Sequence, residues 1–274
     1  MPPRSPPPSV PRSIRGRVLA IAGSDSGGGA GIQADIKAIT ALGAYAATAI
    51  TALTAQNTVG VHGIRIVPPD FIYQQIVVVL DDIGADAVKT GMLGDVATIE
   101  TVADALARHA AGVPFVLDPV MVAKGGARLL DPGSVHALIR QLLPKATVIT
   151  PNLPEAEVLS GRPIPDVAAM HDAAKALLDL GVPAVLLKGG HLPGDTLVDL
   201  LATREGIEAF GAPRIDTRHT HGTGCTMASA IAAGLAQAMT LRDAVQRARD
   251  YVRAAIETAP GFGAGHGPLN HYVW

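Results

Sequence analysis

The chain has 274 residues, enough for a substantial hydrophobic core in one large α/β domain or two small ones. Apolar residues make up 48% of the sequence and aromatic residues only 3%, which predicts an aliphatic core. Charged residues amount to 17%, the formal net charge is −2 and no basic block occurs, so nothing indicates a nucleic-acid-binding protein. A single cysteine cannot form an internal disulfide, which favours a reducing, cytoplasmic location.

The N-terminal 17 residues differ in composition from the rest of the chain. They hold six prolines and four arginines and lack the apolar core of a signal peptide. We therefore expect a disordered tail over 1–17 and a single domain over 18–274, with a basic targeting segment as the alternative for the tail. Residues 38–61 carry no charge and are long enough to span a bilayer, but glycines interrupt them, so we predict buried strand and helix instead and no membrane contact.

Apolar runs that end in glycine or polar residues alternate with segments of helical periodicity along most of the chain. The predicted strands cover 18–22, 46–55, 86–90, 114–117, 147–150 and 184–187. The predicted helices cover 32–42, 71–80, 96–109, 135–143, 166–180 and the alanine-rich run 227–238. This alternation predicts an α/β fold with a central, mostly parallel β-sheet flanked by helices on both faces.

Polar or glycine-rich residues follow most of the predicted strands. Because open α/β sheets bind ligands at the carboxyl ends of their strands, we expect these residues to gather on one rim. They are Gly23-Ser24-Asp25, Gln56-Asn57, Thr90-Gly91, Asp118, Asn152 with Glu155, and Lys188-Gly189-Gly190.

The segment from Thr220 to Thr226 (Thr-His-Gly-Thr-Gly-Cys-Thr) precedes the alanine-rich helix. A glycine turn at a helix N-terminus leaves backbone N–H groups free, and we expect those of residues 222–225 to bind an anion. Cys225 lies in this turn. A helix N-terminus lowers a thiol pKa from its usual value of about 8.5, so Cys225 is a candidate proton acceptor. A small buried cysteine that only packs is the alternative.

The sequence gives weaker evidence for other types of site. The glycines at 27–31 open a helix after a strand, but a dinucleotide fingerprint also expects an acid after the second strand, where Gln56-Asn57 stands. No Gly-Lys-Ser/Thr of a P-loop occurs. His219 and His221 lack partners at metal-site spacing, so zinc is not expected. His221 with Cys225, as base and nucleophile of a hydrolase, remains open as a rival enzyme class.

Phosphoryl transfer explains more of the strand-end residues than hydrolysis does. Magnesium prefers oxygen ligands, which Asn152, Glu155 and Asp118 offer, and Lys188 can meet a phosphate as a point charge. This reaction depends mainly on positioning and on charge neutralisation.

These motifs together resemble those of the ribokinase-like superfamily and, within it, the bifunctional hydroxymethylpyrimidine/phosphomethylpyrimidine kinases of thiamine biosynthesis. The matching segments run in the family's order from about residue 18 to the end. They are Ala22–Asp25, Gly28–Asp35, Thr51–Leu53, Ala55–Thr58, Lys89–Leu93, Leu117–Met121, Thr150–Ala156, Leu187–His191 and Thr220–Thr226.

The resemblance implies a ribokinase-like fold and a homodimer. It also implies transfer of the γ-phosphate of ATP, with Mg2+, to the hydroxymethyl oxygen of 4-amino-5-hydroxymethyl-2-methylpyrimidine and then a second phosphorylation to the diphosphate. A pyridoxal kinase of the same fold is the alternative, although Gln56 and Met92 favour the pyrimidine.

The resemblance also assigns roles to single residues. Asp35 and Gln56 are expected to bond the aminopyrimidine, and Gly23 and Met92 to line its pocket. The nucleotide is assigned to Asp118, Lys188 and Thr220, magnesium to Asn152 and Glu155, and the catalytic anion hole to Gly222, Thr223, Gly224 and Cys225. Sugar kinases of the superfamily have Asp where this chain has Cys225, which supports the narrower family but leaves the base less certain. We expect residues 123–127 to form a flap that closes over the substrate.

Overall fold

One nine-stranded β-sheet forms the centre of the described part of the chain, residues 13–121 and 131–273 of a computed structural model. The strands are β1 (Arg17–Asp25), β2 (Tyr45–Asn57), β3 (Gly60–Ile66), β4 (Ala87–Thr90), β5 (Phe115–Leu117), β6 (Val148–Ile149), β7 (Ala184–Lys188), β8 (Thr196–Thr203) and β9 (Ile207–Pro213). Their order in the sheet is β3-β2-β1-β4-β5-β6-β7-β8-β9.

The six central strands, from β2 to β7 in sheet order, run parallel to one another. Both margins are antiparallel: β3 pairs with β2, and β8 and β9 extend the sheet beyond β7. The parallel strands therefore end on one rim, as expected for a site at their carboxyl ends.

Eight α-helices connect the strands in the described residues. They are α1 (Gly31–Ala41), α2 (Pro69–Asp82), α3 (Val96–His109), α4 (Pro132–Gln141), α5 (Leu153–Ser160), α6 (Val167–Asp179), α7 (Thr223–Ala236) and α8 (Leu241–Glu257).

The helices lie on both faces of the sheet because successive strand residues point to opposite sides. In β1, Leu19 and Ile21 belong to an apolar cluster with buried residues of α2 to α6. Val18, Ala20 and Ala22 belong to a second cluster with α1, α7 and α8. The predicted α/β architecture is therefore confirmed.

Each of the predicted strands and helices overlaps an observed element. Strands β3, β8 and β9 and helices α5 and α8 were not predicted from the sequence. The predicted end of the tail at residue 17 is too late, because Arg17 already belongs to β1 and the Arg15 N–H donates to the Gly43 carbonyl at 2.9 Å. Residues 1–12 of the tail and the expected flap at 123–127 lie outside the described residues.

The segment that follows α8, residues 258–273, runs back to the strand ends; we call it the C-terminal segment. The His266 N–H donates to the Thr58 carbonyl at 2.9 Å, and the His221 N–H donates to the Gly267 carbonyl at 3.2 Å. This segment therefore contacts both the β2–β3 turn and the turn before α7. No helix within 13–121 and 131–273 is both long and apolar enough to cross a membrane.

Candidate active site

A cavity of about 1230 Å3 lies at the carboxyl ends of the parallel strands. It collects most of the strand-end residues predicted to meet on one rim, but not Asn57, Thr90, Gly91 and Gly189, while the individual roles stay predictions. The predicted site residues that line it are Gly23, Gln56, Met92, Asp118, Asn152, Glu155, Lys188, Thr220, Gly222, Thr223, Gly224 and Cys225.

Asp35 does not line the cavity. Its side chain is fully buried on the inner face of α1, where Lys89 Nζ donates to Oδ1 at 2.8 Å and Ser229 Oγ donates to the same oxygen at 2.7 Å. The helical period turns Asp35 towards β4 and α7, away from the rim, and its expected contact with the aminopyrimidine stays a prediction. Helix periodicity places it among buried residues such as Ala34 and Ala38.

Lys89, to which no site role was assigned from the sequence, is the partner of this buried carboxylate. Burial alone favours the neutral amine, but the negative charges of Asp35, Cys225 and Asp118 outweigh it and raise the pKa of Lys89 above its ordinary value. Lys89 is therefore a buried ammonium group on β4, beneath the strand ends.

The turn before α7, which is predicted to bind an anion, has the expected glycine geometry. Gly222 is the N-cap of α7 with φ of 84°, and a Cβ at this position would overlap the Gly29 carbonyl oxygen. No side chain caps α7, and Gly222, Gly224 and Cys225 at its N-terminus line the cavity. One detail differs from the prediction: the Thr223 N–H is within 3.4 Å of the Thr220 carbonyl and is not free.

Lys188 and Asp118 border this turn. Lys188 Nζ lies 3.3 Å from Asp118 Oδ1, and a methyl group on Gly224 would lie 3.3 Å from that Nζ. Burial opposes the charge on Lys188, yet Asp118 and Glu155 raise its pKa above the ordinary value. Thr150 Oγ1 donates to Asp118 Oδ1 at 3.0 Å and fixes the carboxylate. A cation and free N–H groups therefore meet at one point, which suits a phosphate.

Asn152 and Glu155 form a capping box at the start of α5. The Glu155 N–H donates to Asn152 Oδ1 at 3.0 Å, and the Asn152 N–H donates to Glu155 Oε2 at 2.8 Å. Burial raises the pKa of Glu155 to about 7; Lys188 lowers it and Asp118 raises it further. The Asn-x-x-Glu spacing is thus also a helix-start signal, from which α5 could have been predicted.

The residues near Glu155 fit a magnesium ion that is shared with phosphates. No group of three or more His, Cys, Asp or Glu side chains in the described residues forms a complete metal cage. Magnesium usually keeps several waters and takes one or two carboxylates plus substrate phosphates. The repulsion that raises the pKa of Glu155 beside Asp118 is the kind that a divalent cation would offset.

Cys225 is half-buried at the first turn of α7. Burial raises the pKa of its thiol to about 11, although Lys89 and the Gly31 N–H favour the thiolate. The expectation of a lowered pKa is therefore wrong for this state of the site, because the loss of water outweighs the helix terminus.

Asp25 and His221 form a buried pair that was not assigned to the site from the sequence. His221 Nε2 lies 2.8 Å from Asp25 Oδ2 and 3.4 Å from the side-chain nitrogen of Gln56. The Asp25 carboxylate also accepts from the N–H groups of Gly27, Gly29 and Ala30. Burial opposes its ionisation, but these bonds lower the pKa of Asp25 below its ordinary value. Both residues lie in sequence segments that match the family, and this match could have pointed to them as site residues.

This pair also bears on the hydrolase alternative. His221 Nε2 is engaged with Asp25, and the structure gives no hydrogen bond between His221 and Cys225 in the described residues. The required base–nucleophile contact is therefore missing from this arrangement.

Comparison with known proteins agrees with this geometry. A family model described as phosphomethylpyrimidine kinase matches residues 25–270. The chain belongs to the phosphomethylpyrimidine kinase family. It is 46% identical over 259 residues to the hydroxymethylpyrimidine/phosphomethylpyrimidine kinase of Bacillus subtilis, covering 94% of this chain and 95% of that protein.

Another relative is named as a bifunctional protein. The chain is 53% identical over 259 residues to the thiamine biosynthesis bifunctional protein ThiED of Geobacter sulfurreducens. That match covers 94% of this chain and 53% of ThiED, so the chain spans about half the length of that protein.

Solved structures of pyridoxal kinases share the fold of this kinase-family chain. An ADP complex of Bacillus subtilis pyridoxal kinase has a TM-score of 0.88 and 40% identity, covering 94% of this chain and 98% of that one. The Staphylococcus aureus pyridoxal kinase in complex with AMP-PCP and pyridoxal has a TM-score of 0.87 and 36% identity, covering 95% and 94%.

Proposed function

We propose that this chain phosphorylates 4-amino-5-hydroxymethyl-2-methylpyrimidine with ATP, first to the monophosphate and then to the diphosphate used in thiamine biosynthesis. One observation carries the proposal: a cavity in a phosphomethylpyrimidine kinase-family chain holds an uncapped helix N-terminus, Lys188 and Cys225 side by side. The relatives named for both reactions, and related kinases that bind ADP or AMP-PCP, support it.

On the substrate side, Gln56, Met92 and Gly23 would bind the aminopyrimidine. An amide both donates and accepts along the edge of a heterocycle, and Gln56 lines the cavity next to His221. A Cβ on residue 23 would overlap Met92 Cε, so glycine leaves the methionine in place. The Asp25–His221 pair would keep the Gln56 side chain in position, because His221 Nε2 contacts the side-chain nitrogen of Gln56.

On the nucleotide side, Lys188, Asp118, Thr220 and the free N–H groups of Gly222, Gly224 and Cys225 would surround the transferred phosphoryl group. The hydroxymethyl oxygen of the substrate bonds to the γ-phosphorus, the bond to the β,γ-bridging oxygen breaks, and ADP leaves with that electron pair. The hydroxyl proton passes to the Cys225 sulfur, which must first lose its own proton to solvent because burial raises the pKa of this thiol to about 11. Positioning and charge neutralisation supply most of the acceleration.

Magnesium would be held near Asn152 and Glu155, directly or through water. When bound, it would neutralise charge on the phosphates. The Glu155 carboxylate must be ionised to take part, and Lys188 helps to keep it so.

We further propose that the chain from Arg17 onward acts as one kinase domain, and that it works as a homodimer in the cytoplasm. The single cysteine suits a reducing compartment. Light scattering after gel filtration measures the oligomeric state, and a monomer at micromolar concentration would contradict the dimer.

Pyridoxal kinase activity is the second candidate, because the structural neighbours include pyridoxal kinases that share 36% and 40% identity with this chain. Both substrates are small heterocycles that carry a hydroxymethyl group.

The test is an ADP-release assay with MgATP and either the pyrimidine or pyridoxal, with products resolved by mass spectrometry. Mono- and diphosphorylated pyrimidine would support the proposal, and a monophosphate alone would limit it to one step. Turnover of pyridoxal but not of the pyrimidine would replace it with the second candidate.

Two variants test the assigned roles, one by its turnover in this assay and one by its binding of the pyrimidine. Cys225→Ala is expected to reduce kcat strongly with a smaller effect on KM for the pyrimidine, and near-wild-type kcat would reduce Cys225 to a packing residue. Gln56→Ala is expected chiefly to weaken pyrimidine binding, measured by calorimetry. Gln74→Ala, exposed on α2, is the matched control.

A further inference from the structure

Cys225 is surrounded by charged groups from four other parts of the fold. Lys89 on β4 and Asp35 on α1 are fully buried, whereas Asp118 after β5 and Lys188 at the end of β7 line the cavity. The proposed function uses the two cavity-lining groups. It leaves the buried pair without a role.

The buried pair is tied to Cys225 through the contact between α1 and α7. Ser229 stands one helical turn after Cys225 on α7, and its Oγ donates to Asp35 Oδ1 at 2.7 Å. Asp35 stands one turn after Gly31 on α1, and the Gly31 N–H lies near enough to the Cys225 sulfur to lower the pKa of its thiol. Residues four apart share a helix face, so the two helices meet at matching turns.

Lys89, on strand β4 of the sheet, is the second partner of Asp35. Its Nζ donates to Asp35 Oδ1 at 2.8 Å, and both side chains are 0% exposed. Asp35 Oδ2 has no hydrogen-bond partner among the described residues, so the carboxylate is held by one oxygen only. A charge pair of this kind adds little net stability, because desolvation offsets the attraction. Its two charges act in opposite directions on the nearby Cys225: Lys89 lowers the pKa of the thiol and Asp35 raises it, and the effect of Lys89 is the larger one.

We propose that Lys89 is a positioning residue for phosphoryl transfer: its buried ammonium group, fixed by Asp35, stabilises the Cys225 thiolate that accepts the proton of the substrate hydroxyl group. The catalytic part of this inference rests on the proposed function. Lys89 itself gives up no proton and forms no bond in the step; the proton moves from the substrate oxygen to sulfur, and the electron pair of the broken phosphorus–oxygen bond leaves with ADP. Among the groups around the thiol, Lys89 contributes most to lowering its pKa, which agrees with this role.

The single cysteine of the chain makes the test direct. The rate of alkylation by iodoacetamide, followed by intact mass, reports the thiolate of Cys225 with no need for turnover. Lys89→Met is expected to slow alkylation at pH 8 by about tenfold or more, since about one pKa unit changes the thiolate fraction tenfold. kcat should fall with KM for the pyrimidine little changed. Lys175→Met, exposed on α6, is the control and should match the wild type in both measurements.

Lys89→Met leaves Asp35 buried without a counter-charge, which is destabilising, so a second variant keeps the test decisive. The double variant Asp35→Leu with Lys89→Met removes both charges. We expect it to fold with near-wild-type stability, to alkylate more slowly than the wild type and to show a rate–pH profile shifted to higher pH.

Wild-type alkylation and kcat in the folded double variant would overturn the inference, because Lys89 would then only neutralise Asp35. If the wild type phosphorylated neither the pyrimidine nor pyridoxal, the proposed function would fail. The alkylation rates would still decide whether Lys89 acts on Cys225.

Discussion

Glu155 shows how one side chain can serve both a helix and a ligand. Its Oε2 accepts the Asn152 N–H in the capping box, and burial raises its pKa to about 7. The carboxylate is therefore ionised above pH 7 and protonated below it. Under the proposed function only the ionised form would attract magnesium, so this residue would set a pH dependence in the physiological range.

The affinity for MgATP is expected to fall as the pH drops from 8 to 6. With a pKa of about 7, the ionised fraction of Glu155 falls about tenfold over this range, and KM for MgATP should rise by a similar factor. Glu155→Gln keeps an acceptor for the Asn152 N–H and should have a higher KM that varies less over the same range. Steady-state kinetics at several pH values measure both; parallel profiles would contradict the role of the carboxylate.

Residue identities in the site were largely predictable, but their environments were not. The order of polar strand ends and the match to the family place Asn152 and Lys188 at the cavity without coordinates. The burial of Asp35 depends on which face of α1 packs against α7, and the raised pKa of Cys225 depends on how much water the fold excludes. Both quantities arise from tertiary packing, which local spacing does not encode.

The turn before α7 shows how an element, rather than a side chain, leaves donors for the proposed anion. Helices α3, α4, α5, α6 and α8 begin with an Asp, Asn or Thr side chain that accepts an N–H of the first turn. Gly222 caps α7 without a side chain, so the donors stay available for a ligand.

Gly222→Ala is expected to reduce kcat/KM at least about a hundredfold, because a Cβ at φ of 84° would overlap the Gly29 carbonyl and open the turn. Gly161→Ala is the matched control, since Gly161 ends α5 with φ of 67° and a Cβ added there would meet no atom within 4 Å. It should lose about 1 kcal/mol of stability and no activity. Equal kinetic losses in both variants would show that backbone strain, not the turn, matters.

The buried parallel strands were predicted from the sequence, whereas the antiparallel strands at the two edges of the sheet were not. Apolar runs such as β1 and β7 signal burial on both faces. The marginal strand β3 is largely exposed and lacks such a run. Two helices could have been found: α5 starts at the Asn-x-x-Glu box, and α8 has apolar residues at helical spacing after Thr240.

At the scale of the whole molecule, the C-terminal segment contributes a buried histidine to the core. His271 Nε2 lies 3.0 Å from Thr226 Oγ1, and Tyr251 donates its hydroxyl proton to the His271 carbonyl at 2.8 Å. Burial lowers the pKa of His271 to about 4. Its imidazole therefore stays neutral in the folded chain, whereas the unfolded chain binds a proton at about pH 6.5.

The folded chain should lose stability in mild acid for this reason. As the pH falls from 7 to 4.5, the unfolded state gains a proton that the folded state does not, which costs about 2.5 kcal/mol. His271→Gln removes this term, so its free energy of unfolding should fall less over the same interval. Urea titrations at pH 7 and 4.5 measure it, with His136→Gln, exposed on α4, as control. An unchanged pH dependence in His271→Gln would exclude His271 as the cause.

The C-terminal segment also sets the order in which the chain can become active during synthesis. The parallel strands and α7 are complete by residue 236, yet the turn at His221 and the turn at Thr58 are held by Gly267 and His266. A ribosome that has released the sheet has therefore not yet released the residues that fix the two walls of the cavity. A nascent chain can acquire its fold early, but it completes its catalytic geometry only when its last helix and the segment behind it have emerged.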